Sequence, residues 1–231
     1  MYTSEQDLVN SFKSQSSRFL RDVSNTKTTR TFLIEEFDSL NGIADLVLGT
    51  YMPRTKTARP PIDINWITPL TSLNVGDSVS VGQFMDNYTV TRSTAVRILR
   101  GYVNAGFLLQ NDKDLFGVVK CYAPILDNVI SIEAKLKNWQ RALQQANRYK
   151  RFSNFTFVLL EEKHSNPAIK NIALFEKFGI GLITMQDHTY KLHSIPNRLE
   201  VRHSEYFYRI NEVAYATVAS PASFSLKVGS K

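Results

Sequence analysis

The second half of the chain contains three short apolar runs, and their spacing constrains the fold more than any other feature. The runs are NVISIEAKL (128–136), FTFVLLE (155–161) and IGLITM (180–185). Runs of this length suit strands that are buried on both faces of a sheet. Helical patterns at 138–151 and 166–178 separate them. Strands that alternate with helices predict an α/β protein in which helices cover a mixed sheet.

The first 60 residues add a helix and two strands to this pattern. Apolar residues at helical spacing after Ser4 predict one amphipathic helix over 5–23. Strands are predicted at 29–37 and 43–51, with a turn at 38–42 between them, so the two strands form a hairpin. The following segment, 52–61, is rich in proline and cations and has no periodicity, which predicts a linker or loop.

Residues 61–120 differ in character from the segments on either side. Helices are predicted at 81–88 and 93–106, and a β-hairpin is predicted from strands at 107–110 and 115–119. Two helices joined by a turn and followed by a hairpin are the parts of a winged helix-turn-helix. We therefore predict one domain formed by 1–60 and 121–231, with the winged-helix subdomain 61–120 inserted into it.

The charge of the chain favours a polyanionic partner. The formal net charge is +7, and residues 126–231 carry most of the excess, with 15 basic and 9 acidic side chains. The single cysteine, Cys121, excludes an internal disulfide, and no signal peptide is evident, so we expect a cytoplasmic protein. No apolar stretch approaches the roughly 20 residues that cross a bilayer, which argues against a membrane protein. The histidines lack zinc-site spacing, and no glycine-rich phosphate loop suggests ATP use.

Three residues have the chemistry that hydrolysis of a phosphodiester requires. Asp45 lies in one predicted strand, and Glu133 and Lys135 lie two positions apart in another, so the last two share a face. Two carboxylates suit Mg²⁺, which completes its ligand shell with water and phosphate oxygens. The Ala134 carbonyl could be a further ligand, and the Lys135 ammonium could orient the attacking water.

The order of these residues resembles the PD-(D/E)XK nuclease superfamily. The matching segments are EEFDSLNGIADLVL (35–48) and VISIEAKLKNWQRALQQANRY (129–149), and together they set an acid, an Asp, Glu-x-Lys and a helix with Gln in the family's order. The proline that precedes the Asp in the family is replaced by Ala44. The resemblance implies a restriction-endonuclease-like fold and a Mg²⁺-dependent deoxyribonuclease, with Mn²⁺ as a substitute and Asp45, Glu133 and Lys135 as catalytic residues.

Several further residues are candidates for the same site. Glu36 could add a carboxylate, although Glu35 is an alternative and a solvated strand residue is another. Gln145 and Tyr149 match the family's QxxxY pattern on one helical face, and Tyr149 is also a candidate for core packing. Arg141 and Tyr149 could contact DNA. A second Glu-x-Lys, at 161–163, is rejected because it leads into a loop with no glutamine helix behind it.

The inserted unit is expected to dock DNA through its second helix. The candidate contacts there are Arg92, Ser93, Thr94, Arg97 and Arg100. Segment 61–125 is net neutral, so packing or dimerisation is an alternative role for this unit. A non-catalytic DNA-binding or assembly subunit and an RNA nuclease are the rival functions. A nuclease that cuts both strands of a duplex is expected to act as a homodimer or beside partner subunits.

Overall fold

The computed structural model describes residues 2–25, 30–52, 59–201 and 204–219. In chain order, its regular elements are α1 (Glu5–Lys13), α2 (Ser16–Ser24), β1 (Thr31–Asp38), β2 (Ile43–Tyr51), α3 (Ile67–Thr71), β3 (Ser78–Ser80), α4 (Val81–Tyr88), α5 (Arg92–Asn104), β4 (Leu108–Asp112), β5 (Leu115–Val118), β6 (Leu126–Lys135), α6 (Trp139–Tyr149), β7 (Phe155–Glu161), α7 (Asn166–Lys170), α8 (Ile172–Phe178), β8 (Gly181–Gln186), β9 (Thr189–Ser194) and α9 (Glu205–Ala219). The order of these elements confirms the predicted α/β class.

The described chain divides into two compact units. The first takes in Met1–Met52 and Leu126–Ile210, and the second takes in Pro53–Ile125 and Asn211–Lys231, so the division falls within α9. These limits differ from the 61–120 expected for the insert, because residues on both sides of that segment and the end of α9 cluster with it. Most of the predicted loop at 52–61 falls on 53–58, which lie outside the described residues.

A six-stranded mixed sheet forms the centre of the first unit. Its strand order is β1-β2-β6-β7-β8-β9, with β6, β7 and β8 parallel and the other neighbours antiparallel. All of β7 is buried, because its side chains alternate between two apolar layers. Phe157 and Leu159 face a core that includes residues of α1 and α2, whereas Val158 and Leu160 face a core with residues of α6, α7 and α8.

The single helix predicted over 5–23 is wrong, because the chain forms two helices with a break at Ser14 and Gln15. The Ser14 hydroxyl donates to the Ser11 carbonyl at 2.7 Å, and the Gln15 N–H donates to the Phe12 carbonyl at 2.9 Å. Serine side chains compete with the backbone for such carbonyls and interrupt helices in this way. The helix predicted over 166–178 is broken similarly at Asn171, whose side chain donates to the Pro167 carbonyl.

The second unit has its elements in the order α3, β3, α4, α5, β4 and β5. The three strands form an antiparallel sheet in the order β3-β5-β4. A full capping box at Ser80 and Gln83 begins α4, and the Thr91 side chain caps α5. The two predicted helices and the hairpin are thus present, and α3 and β3 are elements that the sequence analysis missed.

A buried network in the second unit, the Arg59 cluster, joins Arg59, Tyr122, Glu212 and Tyr215. Arg59 forms a bidentate ion pair with Glu212, whose side chain is 1% exposed, and Tyr122 donates to the same carboxylate at 2.7 Å. The Arg59 guanidinium lies 4.1 Å from the centroid of the Tyr215 ring. Because Arg59 precedes α3 and Tyr122 follows β5, the cluster holds the two ends of the inserted segment together.

None of the helices within the described residues is long and apolar enough to span a membrane.

Candidate functional site

The predicted catalytic residues Asp45, Glu133 and Lys135 lie at the end of the hydrogen-bonded ladder between β2 and β6. The ladder between these antiparallel strands ends at Leu46 and Ile132, although the next residues in register would be Asp45 and Glu133. Instead, the Ala134 N–H donates to Asp45 Oδ2 at 2.7 Å. A side chain therefore replaces the backbone acceptor at this point, and the gap brings the Asp45 carboxylate beside β6.

Lys135 lies among carboxylates at the end of β6. Its Nζ is 2.9 Å from Glu133 Oε1, 4.0 Å from Asp45 Oδ2 and 3.0 Å from Glu5 Oε2. The same Nζ donates to the Ala134 carbonyl at 2.9 Å. The structure thus brings Asp45 to Glu133 and Lys135, which are far from it in sequence, and adds Glu5, a residue that the sequence pattern did not reveal. No local pattern marks Glu5, because it lies in the first turn of α1, a position where acids are common at any helix start.

Tyr149 connects α6 to both strands. Its hydroxyl is 2.5 Å from Glu133 Oε2 and 2.5 Å from the Ile43 carbonyl oxygen. A phenol has one proton and can donate to one of these acceptors at a time. Tyr149 is 1% exposed, so it packs in the core and contacts a candidate site residue. Its predicted contact with DNA is wrong for this structure, because the buried ring has almost no surface to offer a nucleic acid.

Glu36 lies opposite Asp45 in the β1–β2 register, between the pairs Glu35–Leu46 and Phe37–Ala44. It is exposed, and its φ of 51° is rare for a residue other than glycine. Glu35, the alternative, is paired with Lys13 at 2.5 Å. The position of Glu36 therefore favours it over Glu35 as an additional carboxylate. Like charges directly across two strands destabilise a sheet unless a cation lies between them.

Burial and mutual repulsion govern the electrostatics of this cluster. Burial raises the pKa of the Asp45 carboxyl above its ordinary value, and the charges of Glu5 and Glu36 act in the same direction. Burial, followed by the charge of Asp45, likewise raises the pKa of Glu133. Burial opposes charge on Lys135, but its hydrogen bond to Glu133, the charges of Glu133 and Asp45 and its bond to Glu5 together outweigh that effect and raise the pKa of the ammonium. The environment thus keeps Lys135 protonated and makes two ionised carboxylates costly without a further cation.

The oxygen atoms of the site fit a hard divalent cation. Asp45, Glu133 and the Ala134 carbonyl supply oxygen donors, and Mg²⁺ commonly takes one or two protein carboxylates and fills its remaining positions with water and substrate. No group of three or more His, Cys, Asp or Glu side chains in the described parts of the chain is arranged to hold a metal ion. These oxygen donors would suit Mg²⁺, which takes few protein ligands, and they include none of the nitrogen and sulfur atoms that zinc sites use.

The exposed face of α6 forms a polar groove of about 440 Å³, lined by Asn138, Gln140, Arg141, Gln144, Gln145 and Arg148. Arg141 and Arg148 are exposed and form no ion pair with any described residue. The buried Oε1 of Gln145 has no hydrogen-bond partner among the described residues. Gln145 is thus not joined to Asp45, Glu133 or Lys135 through this oxygen, although it lies one helical turn before Tyr149.

The predicted DNA contacts of the second unit lie on α5. A groove of about 840 Å³ there includes Arg92, Ser93, Arg97 and Arg100 in its lining. Arg92 is paired with Asp114 at 2.6 Å and Arg97 with Asp63 at 3.6 Å. The Thr94 N–H donates to the Thr91 cap, so this residue serves the helix start. Partial neutralisation of the arginines agrees with the net charge of zero in this segment.

The rejected Glu-x-Lys at 161–163 has a different environment from that of Glu133 and Lys135. Glu161 ends β7, whereas Lys163 lies in the following 3-10 turn, so the two do not share a strand face. The buried Glu161 carboxylate accepts from the Tyr2 N–H at 3.1 Å and is 3.7 Å from His164. Glu161 therefore has partners of its own. It lies on β7, which is not adjacent to β2, the strand that contains Asp45.

Replacing Tyr149 by Phe is expected to lower the free energy of unfolding by about 1–3 kcal/mol, because Glu133 and the Ile43 carbonyl would lose their buried donor. Urea denaturation of the variant would measure this loss. Tyr88→Phe is the matched control: Tyr88 is 37% exposed, so its loss should stay within about 0.5 kcal/mol. Equal stability of the two variants would contradict the proposed role of the Tyr149 hydroxyl.

Comparisons of the chain with models of protein families, with curated proteins and with solved structures found no match.

Proposed function

We propose that this protein is a metal-dependent nuclease of the PD-(D/E)XK type that hydrolyses phosphodiester bonds in DNA. The observation that carries the proposal is the convergence of Asp45, Glu133 and Lys135 at the point where the β2–β6 ladder ends. The mixed sheet, with β1 and β2 antiparallel and β6 leading to a helix that bears Gln145, supports a restriction-endonuclease-like fold.

The proposed mechanism assigns a role to each residue of the cluster. Asp45, Glu133 and the Ala134 carbonyl would hold Mg²⁺, or Mn²⁺ in its stead, and Glu36, which lies opposite Asp45 in the β1–β2 register, would add a carboxylate. When bound, the ion offsets charge on the scissile phosphate and lowers the pKa of water. Lys135, which stays protonated between Glu133 and Asp45, orients the attacking water and stabilises the negative charge that develops on the phosphate.

The second unit is proposed to be a winged helix that docks the substrate. The support is its element order, helix, strand, two helices and two strands, together with the three-stranded antiparallel sheet. In that fold the second helix of the helix-turn-helix, here α5, enters the major groove. Arg100 forms no ion pair with a described residue and is the cation of α5 best suited to a phosphate.

The decisive experiment is incubation of the purified protein with labelled single-stranded DNA, duplex DNA and single-stranded RNA, each with Mg²⁺, Mn²⁺ or EDTA. We expect DNA cleavage that depends on Mg²⁺ or Mn²⁺ and stops with EDTA. Metal-dependent cleavage of RNA alone would assign the site to an RNA nuclease. Binding without cleavage under all metal conditions would favour the non-catalytic DNA-binding subunit and would refute the proposed activity.

A further inference from the structure

The turn between β1 and β2 exposes an apolar side chain beside the candidate site. Leu40, at the tip of this turn, is 62% exposed and has a φ of 68°. Bulky side chains are rarely found in this left-handed region, because Cβ crowds the following carbonyl oxygen. Single exposed leucines are common on protein surfaces, but a strained one is unusual and calls for a functional explanation.

Hydrogen bonds fix the shape of this turn. The Leu40 N–H donates to Asp38 Oδ1 at 2.8 Å, and the side chain of Ser39, 1% exposed, donates to the Gly42 carbonyl at 2.8 Å. The Ser39 N–H donates to the same carbonyl at 3.1 Å. These bonds fix the backbone of the turn and keep Leu40 at its exposed tip.

The base of the turn lies close to Tyr149, whose hydroxyl contacts Glu133, and to Arg148. A Cβ built on Gly42 would lie 3.5 Å from Tyr149 Cε1 and 3.7 Å from Arg148 Cδ. The carbonyl of the next residue, Ile43, accepts a hydrogen bond from the Tyr149 hydroxyl, which is also within hydrogen-bond distance of Glu133. Because consecutive Cα atoms are about 3.8 Å apart, Leu40 lies within about 8 Å of Gly42.

On this basis we propose that Leu40 inserts into the base stack of bound nucleic acid next to the scissile phosphate, while Arg148 contacts a neighbouring phosphate. The inference rests on the proposed function and deepens it. An apolar wedge beside an exposed cation matches a nucleic-acid strand, which offers apolar base faces and anionic phosphates at short intervals. The 55% exposed Ile43 extends the apolar surface of the turn.

The test uses duplexes that carry 2-aminopurine, whose fluorescence rises when the base is unstacked, at successive positions around the mapped cleavage site. Binding is measured with Ca²⁺ in place of Mg²⁺, because both cations take oxygen ligands. The wild-type protein should raise the fluorescence at one position. Leu40→Asn should abolish this rise and weaken binding roughly tenfold, since the contribution of base stacking is of that order.

Stability gives an independent readout of the same variant. Asparagine adopts the left-handed region more readily than leucine, so Leu40→Asn should raise Tm by roughly 2–4 °C while it weakens binding. The matched control is Leu174→Ala on α8, where the leucine is 39% exposed and its loss should leave both binding and fluorescence unchanged. Leu40→Ala tests loss of the side chain without the conformational gain.

The outcomes separate this inference from the proposed function. A wild-type protein that cuts DNA together with a Leu40→Asn variant of equal affinity and equal fluorescence would refute the wedge and leave the nuclease intact. A wild-type protein that neither binds nor cuts nucleic acid would refute both. A change in the oligomeric state of Leu40→Asn with unchanged DNA affinity would assign Leu40 to a contact between protein copies and overturn the proposal.

Discussion

Glu133→Gln is expected to reduce DNA cleavage by about 10³-fold or more while the protein remains folded. The substitution keeps the shape of the side chain but removes the negative charge that would hold the divalent ion, and such an ion contributes several kcal/mol to transition-state stabilisation. Glu133 is 1% exposed, and burial already disfavours its charged form, so the neutral amide should not unfold the protein. Single-turnover cleavage in Mg²⁺ measures the rate, and circular dichroism with thermal melting measures the fold.

Two lysine variants make this prediction specific. Lys135→Ala should also abolish cleavage, because it removes the only Nζ that the structure brings to both Glu133 and Asp45 within the described residues. Lys163→Ala, which alters the alternative Glu-x-Lys, should cleave at the wild-type rate. The opposite pattern, with an inactive Lys163→Ala and an active Lys135→Ala, would transfer the proposed site to Glu161.

Glu212→Ala is expected to lower the free energy of unfolding of the second unit by about 3–5 kcal/mol. It would leave the Arg59 guanidinium, whose side chain is 15% exposed, without its carboxylate, and it would remove the acceptor of the Ile62 N–H, which is 2.9 Å away. Removing one member of a buried ion pair has an effect of this size, because the remaining charge is desolvated without compensation. Hydrogen exchange of residues 59–125 would measure the change within this unit.

Asp114→Ala is the matched control for Glu212→Ala. It breaks the ion pair with Arg92 in the same unit, but the two side chains are 55% and 45% exposed, so its effect should be about 0–1 kcal/mol. Glu212→Gln keeps the size of the side chain and should have an intermediate effect. If Glu212→Ala proved no more destabilising than Asp114→Ala, the Arg59 cluster would not stabilise this unit.

The elements that sequence patterns predicted well have strong local signals. The bounds of β2 and α4 agree with the predictions, and β6 and α6 differ by two residues at each end at most, because apolar runs and caps mark them clearly. β9 was missed because its hairpin turn uses Asp187 and His188, both at positive φ, where glycine or asparagine is the usual signal. α9 was missed because an apolar helix without a marked polar face shows little periodicity.

The candidate site was predictable only where a motif spans neighbouring positions. Glu133 and Lys135 are two apart on one strand, and Tyr149 follows on the next helix, so their proximity follows from local geometry. Asp45 was predicted as a site residue because the order of the segments resembles that of the PD-(D/E)XK superfamily. The contact of Glu5 with Lys135 depends on how α1 packs on the sheet, and the choice of Glu36 over Glu35 depends on the β1–β2 register and on the pairing of Glu35 with Lys13. Neither property has a trace in local sequence.

The Arg59 cluster also affects how the central sheet can assemble. β2 ends at Tyr51 and its partner β6 begins at Leu126, so pairing the two strands closes a long loop, which costs chain entropy. The Arg59 guanidinium lies 5.8 Å from the centroid of the Tyr122 ring, so this contact joins two positions near the ends of the loop. Once Arg59 and Tyr122 are in contact, the number of residues in the loop that β2 and β6 must still close is small. The inserted sequence then adds little to the effective contact order of the β2–β6 ladder.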